Sequence, residues 1–508
     1  MAQVRYVCLS DLHLGEEDSV LSNMNEDGTE GDPTQPGPLL EQLALCIKNL
    51  AGKLWTEKPT LVLNGDALEL ALCPLHRASM AFQCFINQLK DGDGFLFEKI
   101  LLVPGNHDHH LWVMTREDQY RDYLQRHKQG QNVVTLPEQW HSTKLFPKPT
   151  DEPVICHYLT DLIRRPPVNL DLKVQVAYPN LGIIKEKKLN PNQIPEKCVV
   201  FHHGHFTEWI YNAIGTVNDW IYTPDNTPAR HVWKLEKENF AWIDFAWSAL
   251  GQSWDSGQGL ETVYEKALDD RKFGEVIANL SAGLANEIGT QSFDWFEGAL
   301  IDKFLKLIYV SFAGPEKGQT GATLSQNGLK QLFQYSEGPL HAQICYDILA
   351  LQQGKDELDE RVYTADFFKD TLAPRTTLIL GHTHKPFLGH EGFHGYSGGV
   401  DVYNSGGWVV ESLDAAPLHG GSIILVDDQL NVAAIRMYNE NADDCPLPVR
   451  LEPLPYVSLQ NPLSAEIDKL NFSEDDPWKT FSQMVTSIIR IRRKYLRQRV
   501  YSTLPKSR

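Results

Sequence analysis

Five short clusters of Asp, Asn and His recur along the chain: Asp11-Leu12-His13, Asn64-Gly65-Asp66, Asn106-His107-Asp108, His202-His203-Gly204-His205 and Gly381-His382-Thr383-His384. Carboxylate, imidazole and amide oxygen form the ligand mixture that suits divalent first-row metals, and the thiolates of a zinc-finger site are missing from all five. A carboxylate shared by two cations holds them about 4 Å apart, the spacing used for in-line displacement at phosphorus. Taken singly, each cluster has an ordinary reading, because a Gly-Asp or Gly-Asn pair is commonly just a turn. Five of one kind in one chain are hard to explain that way.

Each cluster sits at the end of an apolar run. Val4 to Ser10, Thr60 to Leu63, Lys99 to Val103, Cys198 to Phe201 and Thr377 to Leu380 are short stretches of β-formers that stop at a Gly, a Pro or a polar residue. Runs of this length read as buried strands, and α/β proteins place ligand sites beyond the carboxyl ends of such strands. His382 and His384 share a face only if the segment is extended; a tight turn aims them at two different ions.

The order DxH, GDxxE, GNHD, HG, GHxH resembles the calcineurin-like metallophosphoesterases, carried here by Asp11/His13, Asp66/Glu69, Asn106/His107/Asp108, His203 and His382/His384. The resemblance implies an α/β fold, specifically a four-layer α/β/β/α sandwich, here with a large helical insertion. It implies two divalent ions, Mn²⁺ first with Zn²⁺ or Fe as alternatives. Asp11, His13, Asp66 and His384 would hold one ion, and Asp66, Asn106, His203 and His382 the other, with Asp66 as the bridge. His107 would protonate the leaving oxygen or steady the transition state, with Asp108 orienting it. His202, His203, His205 and His157 compete for the middle histidine, and the family's His-Gly step favours His203. His205 then falls at the substrate or just outside the ligands, and His109 and His110 read as solvated loop residues. Glu69 stands where purple acid phosphatases carry Tyr, so no iron-tyrosinate chromophore is expected. The GDxxE and HG pieces look like the bacterial hydrolases that cut UDP-diacylglucosamine, but those carry GNRD where this chain has Gly105-Asn106-His107-Asp108.

The 508 residues, 42% of them hydrophobic, suffice for two or three domains. A net charge of −19 argues against nonspecific nucleic-acid binding. The eight cysteines show no CxxC pairing and read as reduced, buried thiols. The first strand begins within a few residues of Met1 and no run of eighteen apolar residues occurs, so the expected location is the cytoplasm.

The expected organisation is a metallophosphoesterase domain in two parts, 1–205 and 376–455, interrupted by a helical cap at 206–375 and followed by a basic helical tail at 456–508. Glu16 to Pro38, rich in Gly, Pro, Asp and Asn, reads as a mobile, solvated connector. Leu39 to Leu54, with Leu40, Leu43, Leu45, Ile47 and Leu50 at helical spacing, and Met80 to Leu89 read as helices covering the sheets. Val174, Val176 and Tyr178 alternate as in a strand with one wet side. The cap holds seven of the twelve tryptophans (Trp209, Trp220, Trp233, Trp242, Trp247, Trp254 and Trp295) and one clear amphipathic stretch, Leu300 to Tyr309. It either lines the pocket of an amphiphilic or lipid-linked phosphate, or it only shields the metals or makes an oligomer contact. Val400 to Trp408, Gly421 to Val426 and Val432 to Met437 read as closing strands of the second sheet.

Pro477 to Arg508 contains nine Lys or Arg and no acid, with Phe481, Met484, Val485, Ile488 and Ile491 on one helical face. Such a helix fits peripheral contact with the inner face of a membrane. It fits equally well against the protein's own acidic body, because Arg492 and Arg499 interrupt the apolar stripe. The expected activity is metal-dependent hydrolysis of a phosphoester or pyrophosphate on a small or lipid-linked phosphorylated substrate. The rivals are a nuclease of the same fold, disfavoured because the only basic concentration is the tail, and a non-catalytic scaffold, disfavoured because no ligand position is missing.

Overall fold

A computed structural model of the chain describes residues 3–92, 94–126, 140–185, 194–207, 231–244, 248, 326–355, 358, 371–393, 395–443, 445–454, 461–473 and 476–502. In chain order, β1 (Val4–Leu9), α1 (Pro38–Leu54), β2 (Thr60–Leu63), α2 (Leu75–Gln88), a short hairpin of β3 (Lys90–Asp91) and β4 (Gly94–Phe95), β5 (Lys99–Leu102), α3 (His109–Arg126), α4 (His157–Arg164), β6 (Val174–Val176), β7 (Asn180–Ile184) and β8 (Lys197–His202) form the first part. There follow α5 (Val232–Ile243), α6 (Gln326–Gln353), β9 (Arg375–Leu380), β10 (Phe387–Glu391), β11 (Val400–Asn404), β12 (Gly420–Asp427), β13 (Val432–Asn439), β14 (Arg450–Glu452), α7 (Pro462–Ile467) and α8 (Trp478–Ser502).

The architecture is mixed α/β with two large mixed sheets. Among the described residues one sheet runs β14-β13-β12-β1-β2-β5-β6 and the other β10-β11-β9-β8-β7. β1, β2 and β5 are parallel neighbours, as are β8 and β9, so within each sheet the strands that carry the motifs end on the same edge.

Alternation along these strands divides their side chains between two cores. Cys8, Val62, Val199, Phe201, Ile379 and Tyr403 share one apolar cluster between the sheets. Val7, Leu9, Leu61, Leu63, Ile100 and Leu102 turn the other way and pack with α1, α2 and α8. On the second sheet Cys198, Val200, Leu378 and Val402 pack with Leu340, Ile344 and Ile348 of α6.

α1 starts at Pro38, a residue preorganised for a first helical turn. It buries Leu40, Leu43, Ile47 and Leu50 but leaves Leu45 half exposed, since two residues on from Leu43 the helix has turned some 200°. β12 and β13 correct the expectation for the closing strands. Only β11 joins the second sheet; β12 returns to the first and pairs antiparallel with β1, placing Tyr6 opposite Val426.

The segment from Glu16 to Pro38 is a solvated connector only in part: Asn25 to Asp27 and Asp32, Thr34 and Gln35 are exposed, but its start is built into the fold. Ser19, Val20 and Leu21 are buried, the Val20 N–H donates to the Trp408 carbonyl (2.7 Å), and the fully buried Arg492 of α8 donates to the Ser22 carbonyl (2.9 Å). The tail's apolar face, with Phe481, Val485, Ile488, Ile489 and Leu496 buried, packs into the first sheet's outer core, each such side chain contributing roughly 1.5–3 kcal/mol. No helix among the described residues is long and apolar enough to cross a membrane. No disulfide joins the eight cysteines, seven of which are buried. Of the cap, Trp209, Trp220, Trp247, Trp254, Trp295 and the stretch from Leu300 to Tyr309 lie outside the described residues, while α5 and part of α6 lie within them.

Candidate metal centre

The five strand ends bring their polar residues to one place. Two groups of potential ligands, Asp11/His13/His384 and Asp66/His203/His382, form there, and a third, His13/Glu69/His107, shares His13 with the first; the ligand atoms of each lie within 4.8 Å of one another. In the first, His13 Nε2 lies 3.1 Å from His384 Nε2, which lies 3.2 Å from Asp11 Oδ1. In the second, His203 Nε2 lies 2.9 Å from Asp66 Oδ2 and 3.1 Å from Asn106 Oδ1, and the same amide oxygen is 3.1 Å from His382 Nδ1. Metal bonds of about 2.0–2.2 Å leave neighbouring ligand atoms roughly 3.0–3.5 Å apart, so the donor set fits divalent ions. Asp66 Oδ2 also stands 3.9 Å from His13 Nε2, between the two groups.

The backbone is bent to achieve this. Asp11, His13, Asp66, His382 and His384 all have positive φ, from 45° to 70°. Such conformations cost of order 1–3 kcal/mol each for a residue with a Cβ and cluster at functional sites. The neighbouring glycines make room: a Cβ on Gly105 would fall 2.3 Å from Asp66 Oδ1, and one on Gly65, at φ 85°, 2.3 Å from His203 Nδ1.

Three imidazoles are oriented from behind. His203 Nδ1 is 3.1 Å from the Asn64 carbonyl, His13 Nδ1 is 2.7 Å from Glu69 Oε2 and 3.2 Å from Glu16 Oε2, and His384 Nδ1 contacts Glu411. Acceptors at Nδ1 fix the proton there and turn the Nε2 lone pair inward, as metal-ligating histidines require. Burial disfavours the charged form of His384, but Glu411 and Asp11 outweigh it and lift its pKa to about 10. For His13 too, burial is outweighed by Glu16 and Glu69, and its pKa rises well above the ordinary value. Asp66 shows the converse: burial would raise its pKa, but His203 and His107 hold it well below the usual carboxylate range. Buried carboxylates thus give the cluster a negative potential that stabilises positive charge there, whether on an imidazole or on a bound cation.

His107 lies at the edge, its ring 4.9 Å from that of His13 and its Nδ1 2.8 Å from Glu69 Oε2. Asp108 does not orient it. Its carboxylate accepts the backbone N–H groups of Gly105 (2.7 Å) and Ala67 (2.8 Å), tying the two motif loops together, and burial and the Asp66 charge push its pKa up to about 6. The residue facing His107 is Glu69, fully buried, whose Oε1 also accepts from Ala71 N (2.7 Å) and Leu72 N (2.8 Å). GDxxE contains Glu69, but sequence alone assigned it no role. Glu411 carries no sequence signal at all.

Of the four competing histidines only His203 joins the cluster. His202 Nδ1 accepts from Gly204 N (2.8 Å), His205 Nε2 is 2.9 Å from Glu236 on α5, and His157 sits on α4 facing Asp122 at 3.4 Å. His109 and His110 are not solvated loop residues: they open α3, where His109 is buried 3.1 Å from the Tyr178 hydroxyl and His110 lies 3.1 Å from Asp244, just beyond α5. Ser248 also reaches the centre, its hydroxyl donating to the Asn106 carbonyl (2.6 Å). His107 and His382 are only partly buried while the other ligand candidates are buried, so the cluster opens on their side. No model of a known protein family matches the chain, and no curated protein matches it either.

Proposed function

We propose that the protein is a dinuclear-metal phosphoesterase of the calcineurin-like kind, built as a four-layer α/β/β/α sandwich and acting on a small or amphiphilic phosphorylated substrate. The observation that carries this reading is Asp66, whose Oδ2 lies 2.9 Å from His203 Nε2 in one ligand group and 3.9 Å from His13 Nε2 in the other. Asp11, His13 and His384 would hold one ion, Asn106, His203 and His382 the second, and Asp66 both. The set mixes four imidazoles with three oxygen donors, which suits divalent first-row metals, Mn²⁺ taken first with Zn²⁺ or Fe next.

Bound there, such ions supply Lewis acidity at phosphoryl oxygens and lower the pKa of water. The chain's own residues do the rest. The open side at His107 and His382 admits the phosphate. His107, its Nδ1 held by Glu69, presents Nε2 to the leaving oxygen and passes it a proton. Asn106 and Asp66, fixed by the loop contacts of Asp108, keep their donor oxygens in place without rearrangement during the reaction.

The test is elemental analysis after Mn²⁺ loading, followed by assays on an aryl phosphate monoester, an aryl diester and single-stranded DNA, and a screen of metabolite extract for the phosphorylated species that disappear. About two metals per chain and turnover of a monoester or diester support the reading; cleavage of DNA alone favours a nuclease. A chain that stays metal-free after loading refutes it.

A further inference from the structure

The two loops that carry carboxylates behind the first ligand group are both fastened from outside by one helix. Glu16 stands behind His13 on the loop that follows β1, and Glu411 stands behind His384 on the loop that follows β11. The loops are joined to each other, Val20 N donating to the Trp408 carbonyl (2.7 Å) and Val410 N to the Asp18 carbonyl (3.1 Å). Across them lies α8. Its Arg499 pairs with Glu17 and Asp18, immediately after Glu16, and Arg492 donates to the carbonyls of Ser22 (2.9 Å) and Gly28 (3.3 Å). On the other loop, Arg497 donates to the Leu413 carbonyl (2.6 Å), and Arg493 pairs with Glu440 (2.8 Å), whose carboxylate accepts from Ala416 N (2.7 Å).

The second ligand group is held by other means. His203 is oriented by the Asn64 carbonyl and Asn106 by the Ser248 hydroxyl. Among the described residues the contacts of α8 with these loops are therefore on the side of the first group.

We propose that α8 is a positioning element for one metal of the pair: Arg499 and Arg492, acting through the Glu16 loop, set the affinity of the Asp11/His13/His384 site and leave the Asn106/His203/His382 site unchanged. This rests on the two-metal reading above. The contacts favour it physically because Arg499 and its two partners are largely buried, 14–16% exposed, where an ion pair is screened little. Loss of an outer partner of a ligating histidine typically costs 10–100-fold in metal affinity.

The experiment is Mn²⁺ titration of the full chain by calorimetry and EPR, for wild type, Arg499→Ala, Arg499→Lys and Glu16→Gln. The expected result is that Arg499→Ala weakens one binding step about 10- to 100-fold and leaves the other as in wild type. At limiting Mn²⁺ the coupled-pair EPR spectrum gives way to the resolved hyperfine pattern of an isolated ion. Arg499→Lys, which keeps one ion pair, restores part of the loss. Glu16→Gln, which leaves α8 and its arginines intact, reproduces it, and decides the matter should Arg499→Ala fail to fold. Two unchanged binding steps in the variants, or equal weakening of both, overturn the inference while the two-metal reading stands. A wild-type chain that binds no Mn²⁺ removes that reading and this inference with it.

Discussion

Substituting Glu69 by Gln separates the metal-site role of this residue from its structural one. Oε1 accepts two backbone N–H groups and Oε2 faces two imidazoles, His13 at 2.7 Å and His107 at 2.8 Å. Gln keeps an oxygen for the backbone but turns an NH₂ toward the imidazoles. His13 then meets a donor at Nδ1, and its proton is driven to Nε2, the atom that would ligate the first ion in the proposed pair. The lost charge-assisted bond is worth roughly 1.5–3 kcal/mol, which at about 1.4 kcal/mol per tenfold is roughly 10- to 150-fold in Mn²⁺ affinity. Calorimetric titration of wild type and variant measures this directly.

The same residue predicts an acid limb. Burial would raise its pKa, but His107 and His13 together bring it from 4.5 to about 2. A depressed folded-state pKa contributes stability that is complete above the ordinary value of 4.5 and is lost as pH falls through about 2. Glu69→Gln therefore flattens the unfolding profile between those values. Mn²⁺ affinity equal to wild type, with the variant folded, would refute the assigned role.

Three further outcomes follow from the same geometry. His107→Asn lowers turnover of an aryl phosphate about 10²- to 10⁴-fold at unchanged metal content; a parallel loss of metal would make His107 a ligand instead. In metal-free protein, His384, raised to about 10 by Glu411 and Asp11 against burial, contributes stability that is full below its ordinary 6.5 and disappears as pH climbs through about 10; thermal unfolding across that range reads it, and Glu411→Gln reduces the slope, Asp11 retaining the rest. Gly105→Ala places a methyl 2.3 Å from Asp66 Oδ1 and 2.8 Å from Asp66 N, so elemental analysis of that variant returns less metal than wild type, and wild-type content would show that the two motif loops can part.

The candidate site was readable in one dimension because each polar cluster sits directly after an apolar strand, and strand and cluster are local features. That placed the ends of β1, β2, β5, β8 and β9, and Asp11, His13, Asp66, Asn106, His203, His382 and His384 converge as those ends meet. What stood outside that reach were partners separated by long loops. Glu411 meets His384 only because β11 pairs with β9 and the loop after it folds back; Glu236 meets His205 only because α5 packs on the turn that follows β8. The tail was legible as an amphipathic helix, yet its place was not: a basic helix with a short apolar stripe suits a membrane or an acidic body equally by pattern. Burial of Arg492 and Leu496 against the chain's own loops, hundreds of residues away, settles where that stripe lies. Periodicity and motif are properties of neighbours, whereas carboxylates behind imidazoles and arginines behind loops are properties of the packed whole.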